Sequence, residues 1–445
     1  MSHITVAAQA VVTDAPRPVA SHEERSSKRA VIAASAGNAL EWYDFTVYAL
    51  FAVYIGQNFF QNENPTVQLM ASFLAFGLGY VARPLGALVL GSYADRKGRK
   101  AALSLTIMLM AVGTLLIAIA PPYTAIGIGA PLLIVCGRVL QGFSAGGEVG
   151  GATAFLVEHA PPEKKGIYAS WLQASMGISN VLAALVATLV TTVFTPQQVG
   201  EWAWRIPFIL GLAIAPVGLW MRRALDETPH FKEEAARTKD EAPQDRAPLL
   251  KVLREHPRAL LTGLGVSVLW AAAPYALIIY FPIYVQKSMG FRGADAFMAA
   301  LIGNLFLIGG CLLSGSLSDR IGRRNMLTIG ALLLLVGAYP LMAWLQAVHT
   351  PLALVVVQSS LCAMVALFVG AAPAALSELF PTAVRSSGMS LSYNTAVTLL
   401  GGFAPAILTW ITYTTGVAFA PALYAMGAAL ITLVALFAMP RRSAI

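Results

Sequence analysis

The chain has 445 residues, of which 57% are hydrophobic and only 12% charged, with a formal net charge of +8. Soluble domains carry roughly 25% charged residues, so a mean hydropathy of +0.68 excludes an ordinary water-soluble domain. The Lys and Arg residues are scattered over many short connections, which excludes a nucleic-acid-binding patch as their explanation.

Residues 1–24, within a tail over 1–30, are polar and lack an apolar core. They read as a tail without a cleavable signal peptide, and the first helix reads as an uncleaved anchor. A bilayer-spanning helix needs about 20 mainly apolar residues. Twelve such stretches follow: 31–55, 66–92, 101–120, 128–152, 166–194, 203–222, 258–285, 295–317, 326–346, 351–376, 386–411 and 417–439. The expected fold is an all-α membrane protein with six helices in 31–222, a polar linker over 223–257, six helices in 258–439 and a short tail over 440–445. Lys and Arg recur in every second connection. The positive-inside rule then places both termini in the cytoplasm of a cell inner (plasma) membrane. Cys136, Cys311 and Cys362 fall inside apolar stretches and are expected as buried free thiols.

The sequence repeats internally. Gly91-Ser-Tyr-Ala-Asp95-Arg96-Lys97-Gly98-Arg99-Lys100 recurs as Gly315-Ser-Leu-Ser-Asp319-Arg320-Ile-Gly322-Arg323-Arg324, an offset of 224 residues from Asp95 to Asp319. Glu158, Pro161 and Lys165 recur as Glu378, Pro381 and Arg385, each 220 residues later. Parallel duplicated halves imply a pseudo-twofold axis along the membrane normal, with a site between the halves. That is the build of a transporter.

Charge at membrane depth is costly and marks function. The first half holds Glu41 and Asp44 in its first helix, Arg83 in its second, and Arg138 and Glu148 in its fourth. The second half holds none within its helices. At the 220-residue offset Arg138 falls on Gln358 and Glu148 on Phe368, so the first half is expected to carry the ion chemistry. Arg138, Gln141, Ala145 and Glu148 follow helical spacing and share one face. Arg138 is expected to bind an anionic substrate group, since arginine suits bidentate carboxylate recognition and stays charged; the alternative is a permanent pair with an acid. Arg83 and Gln141 join it as candidate substrate ligands, although snorkelling or internal pairing suits Arg83 better than a place in the pathway. Carboxylates sharing a low-dielectric space disfavour double ionisation, so Asp44 and Glu148, with Glu41, are the candidate proton carriers. Buried aromatic and amide side chains could complete the site, among them Asn180, Trp270, Asn304, Tyr393 and Asn394. Gly142, Gly146 and Gly150 form a small-xxx-small series for close helix packing. The sequence carries no metal-ligand cluster, phosphate loop or nucleophile–base pair, so no metal, cofactor or catalytic residue is expected.

The paired Gly-x-x-x-Asp-Arg-x-Gly-Arg-Lys/Arg motif resembles the loop signature of the major facilitator superfamily. Gly37-Asn38-Ala-Leu-Glu41-Trp42-Tyr43-Asp44-Phe45, Arg83-Pro84-Leu-Gly86, Arg138-Val-Leu-Gln141-Gly142-Phe-Ser144-Ala-Gly146-Gly147-Glu148 and Trp202-Ala-Trp204-Arg205-Ile-Pro207-Phe208 narrow the resemblance to its metabolite–proton symporters. That family imports organic carboxylates, aromatic acids or zwitterionic osmolytes with protons. The resemblance implies a cavity lined by helices 1, 4, 7 and 10, which adds Tyr43, Tyr275 and Gln358 as candidate ligands. It also implies a cytoplasmic gate built from Gly91, Asp95, Arg96, Arg99, Glu158, Asp319, Arg320, Arg323 and Glu378 that latches the outward-open state.

The expected activity is proton symport of a di- or tricarboxylate such as citrate or oxoglutarate, because two arginines are available. The alternative is a zwitterion such as proline or betaine. A drug–proton antiporter, a non-transporting receptor on the same fold and a membrane enzyme are poorer fits. The expected partners are a small organic acid, protons and lipid, with the chain acting as a monomer and without nucleic acid.

Overall fold

Inside a bilayer every backbone N–H and C=O must be satisfied within the chain, which leaves helices as the economical answer for these apolar stretches. A computed structural model describes residues 31, 35, 38–39, 41–97, 99–146, 148–223 and 248–439, and all of its regular structure is helical. We number twelve membrane helices. α1 covers 41–59, with a turn at Phe51, and α2 runs from Pro65 to Val81 and on as Arg83–Lys97. α3 is Arg99–Ile119, α4 Gly129–Glu158, α5 Pro162–Val193 and α6 Ile206–Arg223. α7 is Pro257–Ile279, α8 Gly293–Ile321, α9 Arg323–Val348, α10 Pro351–Glu378, α11 Arg385–Thr415 and α12 Ala420–Ala438. The helix starts follow capping rules: Asn64 accepts from the Thr66 N–H ahead of Pro65, and Thr350 accepts from the Ala353 N–H ahead of Pro351.

α1–α6 pack on one another and α7–α12 on one another, and the halves meet chiefly along α5–α8 and α2–α11. Glycine sets both seams. A Cβ at Gly166 would overlap the Gly315 carbonyl, and one at Gly402 would overlap the Tyr80 ring. Within the first half α2 and α4 also touch backbone to backbone, because a Cβ at Gly142 would overlap the Gly79 carbonyl and one at Gly146 the Arg83 carbonyl. Gly150, the third residue of that series, faces Ser390 of α11 instead.

Two helices in the second half carry a π turn, Tyr275–Ile279 at the end of α7 and Val397–Gly402 inside α11. Such turns concentrate at functional sites. α7 is prolonged by the helix Phe281–Ser288, so the stretch expected over 258–285 is two helical pieces joined by the π turn. The linker expected to be purely polar contains the helix Pro248–Glu255; the tails 1–30 and 440–445 and linker residues 224–247 lie outside the described residues. Cys311 and Cys362 are buried thiols, but Cys136 is exposed on the outer surface of α4. A thiol is apolar enough to face lipid, and burial within the protein is not required of it.

Candidate functional site

Among the described residues, four charged side chains are almost fully enclosed: Glu41 and Asp44 on α1, Arg83 on α2 and Arg138 on α4, with exposures of 4%, 5%, 0% and 0%. All lie in the first half. The Arg83 Nη2 donates to Glu41 Oε1 at 3.0 Å. Its guanidinium carbon sits 4.5 Å from the Tyr80 ring centroid and 5.0 Å from that of Phe45. Arg138 is held differently. Its guanidinium lies 4.5, 4.6 and 4.7 Å from the centroids of Phe45, Tyr48 and Phe76, and Nη1 donates to Gln141 Oε1 at 2.7 Å. Aromatic faces attract a desolvated cation by up to about 2 kcal/mol each. They leave N–H donors unused: the Nε and Nη1 of Arg83 and the Nε of Arg138 have no hydrogen-bond partner. The two arginines therefore share the Phe45 ring and keep donors free for an acceptor.

Asp44 is reached from α3 and α6. Thr114 donates its hydroxyl to Asp44 Oδ2, and Gln141 Nε2 donates to the Thr114 oxygen at 2.9 Å. The other carboxylate oxygen, Oδ1, is buried without a hydrogen-bond partner and faces Gly211 on α6. Thr114 was not a candidate from sequence. It is one of three hydroxyl residues in α3, with Ser104 and Thr106, none of which gives a periodic signal, and only the fold brings α3 against α1 and α4.

The opposite wall comes from the second half. The Tyr275 hydroxyl donates to the Tyr80 hydroxyl at 2.8 Å, and Thr398 donates to the Tyr80 carbonyl. Trp270 packs at a tilt against Tyr393, 4.6 Å between centroids, and the Trp270 indole N–H has no partner. Gln358 donates to the Leu277 carbonyl in the π turn of α7, with its Oε1 unpartnered. Tyr43 is turned towards α6, where its hydroxyl donates to the Pro207 carbonyl. Deeper in the seam Thr46 donates to Asn180, and Asn180 donates to Asn304 Oδ1 at 3.0 Å, joining α1, α5 and α8. The side chain of Glu148 lies outside the described residues.

At the end that carries the charged loops, the second motif copy has a separate job for several of its residues. Gly315 allows α5 to approach α8. Asp319 accepts from the Gly166 and Ile167 N–H groups at 2.8 and 3.1 Å, so a carboxylate of the second half caps a helix of the first. Gly322, at φ 90°, makes the turn into α9. Arg323 pairs with Asp319 at 2.7 Å and Glu378 at 3.1 Å, while Arg385 pairs with Glu158 across the halves at 3.4 Å. Arg320 is exposed. The side chains of Asp95, Arg96 and Arg99, and the surroundings of Gly91, lie outside the described residues.

At the other end, a cavity of about 410 Å³ opens between α2, the helix after α7 and α11, lined by Leu69, Tyr280, Tyr284, Lys287, Thr409 and Tyr413. It stops short of the buried charges. Phe73 packs edge-on against Tyr280, one of the lining residues, at 5.7 Å.

The family model described as Major Facilitator Superfamily matches residues 34–405. The chain is 36% identical over 408 residues to the citrate-proton symporter of Salmonella typhi, covering 91% of this chain and 92% of that one. It is 34% identical over 416 residues to the proline/betaine transporter of Salmonella typhimurium, covering 92% and 82%. Among solved structures, the xylose transporter XylE from E. coli in a partially occluded inward-open conformation superposes with a TM-score of 0.72 at 17% identity, covering 92% and 96%. At that identity the likeness shows the fold alone.

Proposed function

Since the chain belongs to the major facilitator superfamily, we propose that it imports a small organic carboxylate together with protons by alternating access. The observation that carries this reading is the pair of fully buried guanidinium groups that share the Phe45 ring and keep N–H donors without partners. An incoming carboxylate can take those donors as charge-assisted bonds. The relatives named as citrate-proton symporters support the same reading.

Arg138 is the proposed substrate anchor, and Arg83 contributes once its pair with Glu41 opens. Asp44 is the proposed proton carrier. A carboxyl group with one enclosed, unpaired oxygen is costly to keep charged and gains from holding a proton until a conformational change wets it. Glu41 and Glu148 are secondary carriers. The two bodies that rock are 31–222 and 258–439, joined by the cytoplasmic linker. The charged end faces the cytoplasm, where Asp319, Arg323, Glu378, Arg385 and Glu158 latch the outward-open state, and the 410 Å³ cavity is the outer vestibule. The protein works as a monomer in the inner membrane, without a cofactor.

The zwitterion reading is favoured by one observation. The unpartnered Asp44 oxygen can accept a hydrogen bond from an ammonium such as that of proline, and a proline/betaine transporter is among the relatives.

Uptake into proteoliposomes under an imposed acid-outside gradient tests the proposal. Labelled citrate should accumulate, Arg138→Gln should abolish accumulation, and Asp44→Asn should uncouple it from the gradient. Unchanged affinity and rate in Arg138→Gln would remove Arg138 from the site. Accumulation of proline or betaine but not of citrate would establish the zwitterion reading.

A further inference from the structure

The first-half site contains an unbroken polar chain from cation to acid. Arg138 Nη1 donates to Gln141 Oε1 at 2.7 Å. Gln141 Nε2 donates to Thr114 Oγ1 at 2.9 Å, and Thr114 donates to Asp44 Oδ2. Every dipole points the same way, positive end towards the aspartate. Arg138, Gln141, Thr114 and Asp44 are all buried, with exposures of 0%, 0%, 1% and 5%, so water does not short-circuit the chain. Such aligned chains polarise one another in a low-dielectric interior.

Thr114 is the element with two settings. Its single hydroxyl hydrogen has two acceptors within reach, Asp44 Oδ2 and the Met110 carbonyl, which is 3.0 Å away in the preceding turn of α3. An ionised Asp44 competes for that hydrogen as a charged acceptor. A protonated Asp44 is itself a donor to the Thr114 oxygen, and the hydroxyl hydrogen then turns to Met110. In the first setting the chain ends on a full negative charge that draws the Gln141 amide, and through it Arg138, towards the acid. In the second setting that pull is gone, and Arg138 is available to a substrate anion.

We propose that Thr114 and Gln141 are positioning residues that transmit the protonation state of Asp44 to Arg138, so that proton and anion bind cooperatively. This rests on the reading of Asp44 and Arg138 given above. Among the described residues, the charged and titratable groups that act on Asp44 are Tyr43 on its own helix and Arg138 from α4. Thr114 of α3 and Gly211 of α6 present none, and the Glu148 side chain lies outside the described residues. Arg83 is already paired with Glu41, which leaves Arg138 as the responsive cation.

The test is the affinity of the purified full-length protein for labelled citrate at acidic and alkaline pH. Coupled sites change one another's affinity by roughly 5- to 150-fold, so the parent protein should bind citrate at least fivefold more tightly at acidic pH. Thr114→Val keeps the shape but removes the hydroxyl, and the ratio should fall below about twofold. Thr114→Ser should restore it. Gln141→Met cuts the chain from a different helix and should collapse the ratio in the same way, which decides the matter if the valine variant does not yield monodisperse protein. A merely structural role would weaken binding equally at both pH values. A parent-like ratio in both Thr114→Val and Gln141→Met overturns the proposal. Asp44→Asn separates the two levels: it should flatten the ratio, and if it does not, Asp44 is not the proton site.

Discussion

Replacing Asp319 by asparagine should loosen the charged end of the molecule. The Asp319 carboxylate accepts from the Gly166 N–H at 2.8 Å, the Ile167 N–H at 3.1 Å and Arg323 Nη2 at 2.7 Å. An asparagine offers one acceptor oxygen, and its amide donor would meet the second N–H. A hydrogen bond to a charged group contributes about 1.5–3 kcal/mol, and a charge at a helix N-terminus about 0.3–1 kcal/mol. Hydration of the freed N–H groups returns part of this. A net loss of about 2 kcal/mol shifts the balance between closed and open forms roughly 30-fold. The seam itself can report. Ser390 on α11 fills the place where a Cβ on Gly150 of α4 would stand and is half-buried, so a Ser390→Cys probe in a background lacking the three native cysteines is partly shielded while the seam is shut. Its labelling by a membrane-impermeant maleimide should accelerate about tenfold or more in Asp319→Asn. Equal labelling rates with and without the substitution would show that the capped helix end does not hold the halves together.

Gly142→Ala places a methyl group against the Gly79 carbonyl; overpacking should lower stability by about 1–3 kcal/mol, read from thermal unfolding in detergent. Glu41→Gln strands the enclosed Arg83 charge and should cost about 3–5 kcal/mol. The double variant with Arg83→Gln should recover much of that loss, and a double variant no better than the single one would argue against the pair. For the amide bridge between α5 and α8, a double-mutant cycle of Asn180→Ala and Asn304→Ala should give a coupling of about 0.6–1.7 kcal/mol, the range seen for hydrogen bonds between membrane helices. A coupling indistinguishable from zero would mean that the bridge does not bind the halves.

The twelve helices were legible because length and hydropathy are sufficient in lipid: the stretch expected over 351–376 is Pro351–Glu378, and that over 417–439 is Ala420–Ala438. Breaks inside helices were not legible. The π turns at Tyr275 and Val397 lie in apolar sequence that hydropathy reads straight through. Membrane-depth charge singled out Arg83, Arg138, Glu41 and Asp44, since burial of such groups is rarely incidental. Pairing of these acids with Arg83 or Arg138 was one reading of the sequence, but which acid meets which arginine was hidden. Arg83 meets Glu41 from 42 positions away, and Gln141, which shares a helical face with Arg138, turns out to bridge towards Thr114 on another helix. Asn180 and Asn304 stood out as amides in apolar surroundings, but nothing in their spacing of 124 residues says that they meet.

Among the described residues enclosed charge lies in one half alone, which has a consequence for how such a molecule can diversify. The half that holds the enclosed charges is under electrostatic constraint, because each change there strands a partner. The other half offers neutral aromatic and amide surfaces at Trp270, Tyr275 and Gln358, where substitutions alter shape and hydrogen bonding without disturbing the charge balance. On the proposed assignment of the proton carrier to the first half, cargo preference can drift, or be re-engineered by a library confined to the second half, while the proton-linked machinery is inherited intact.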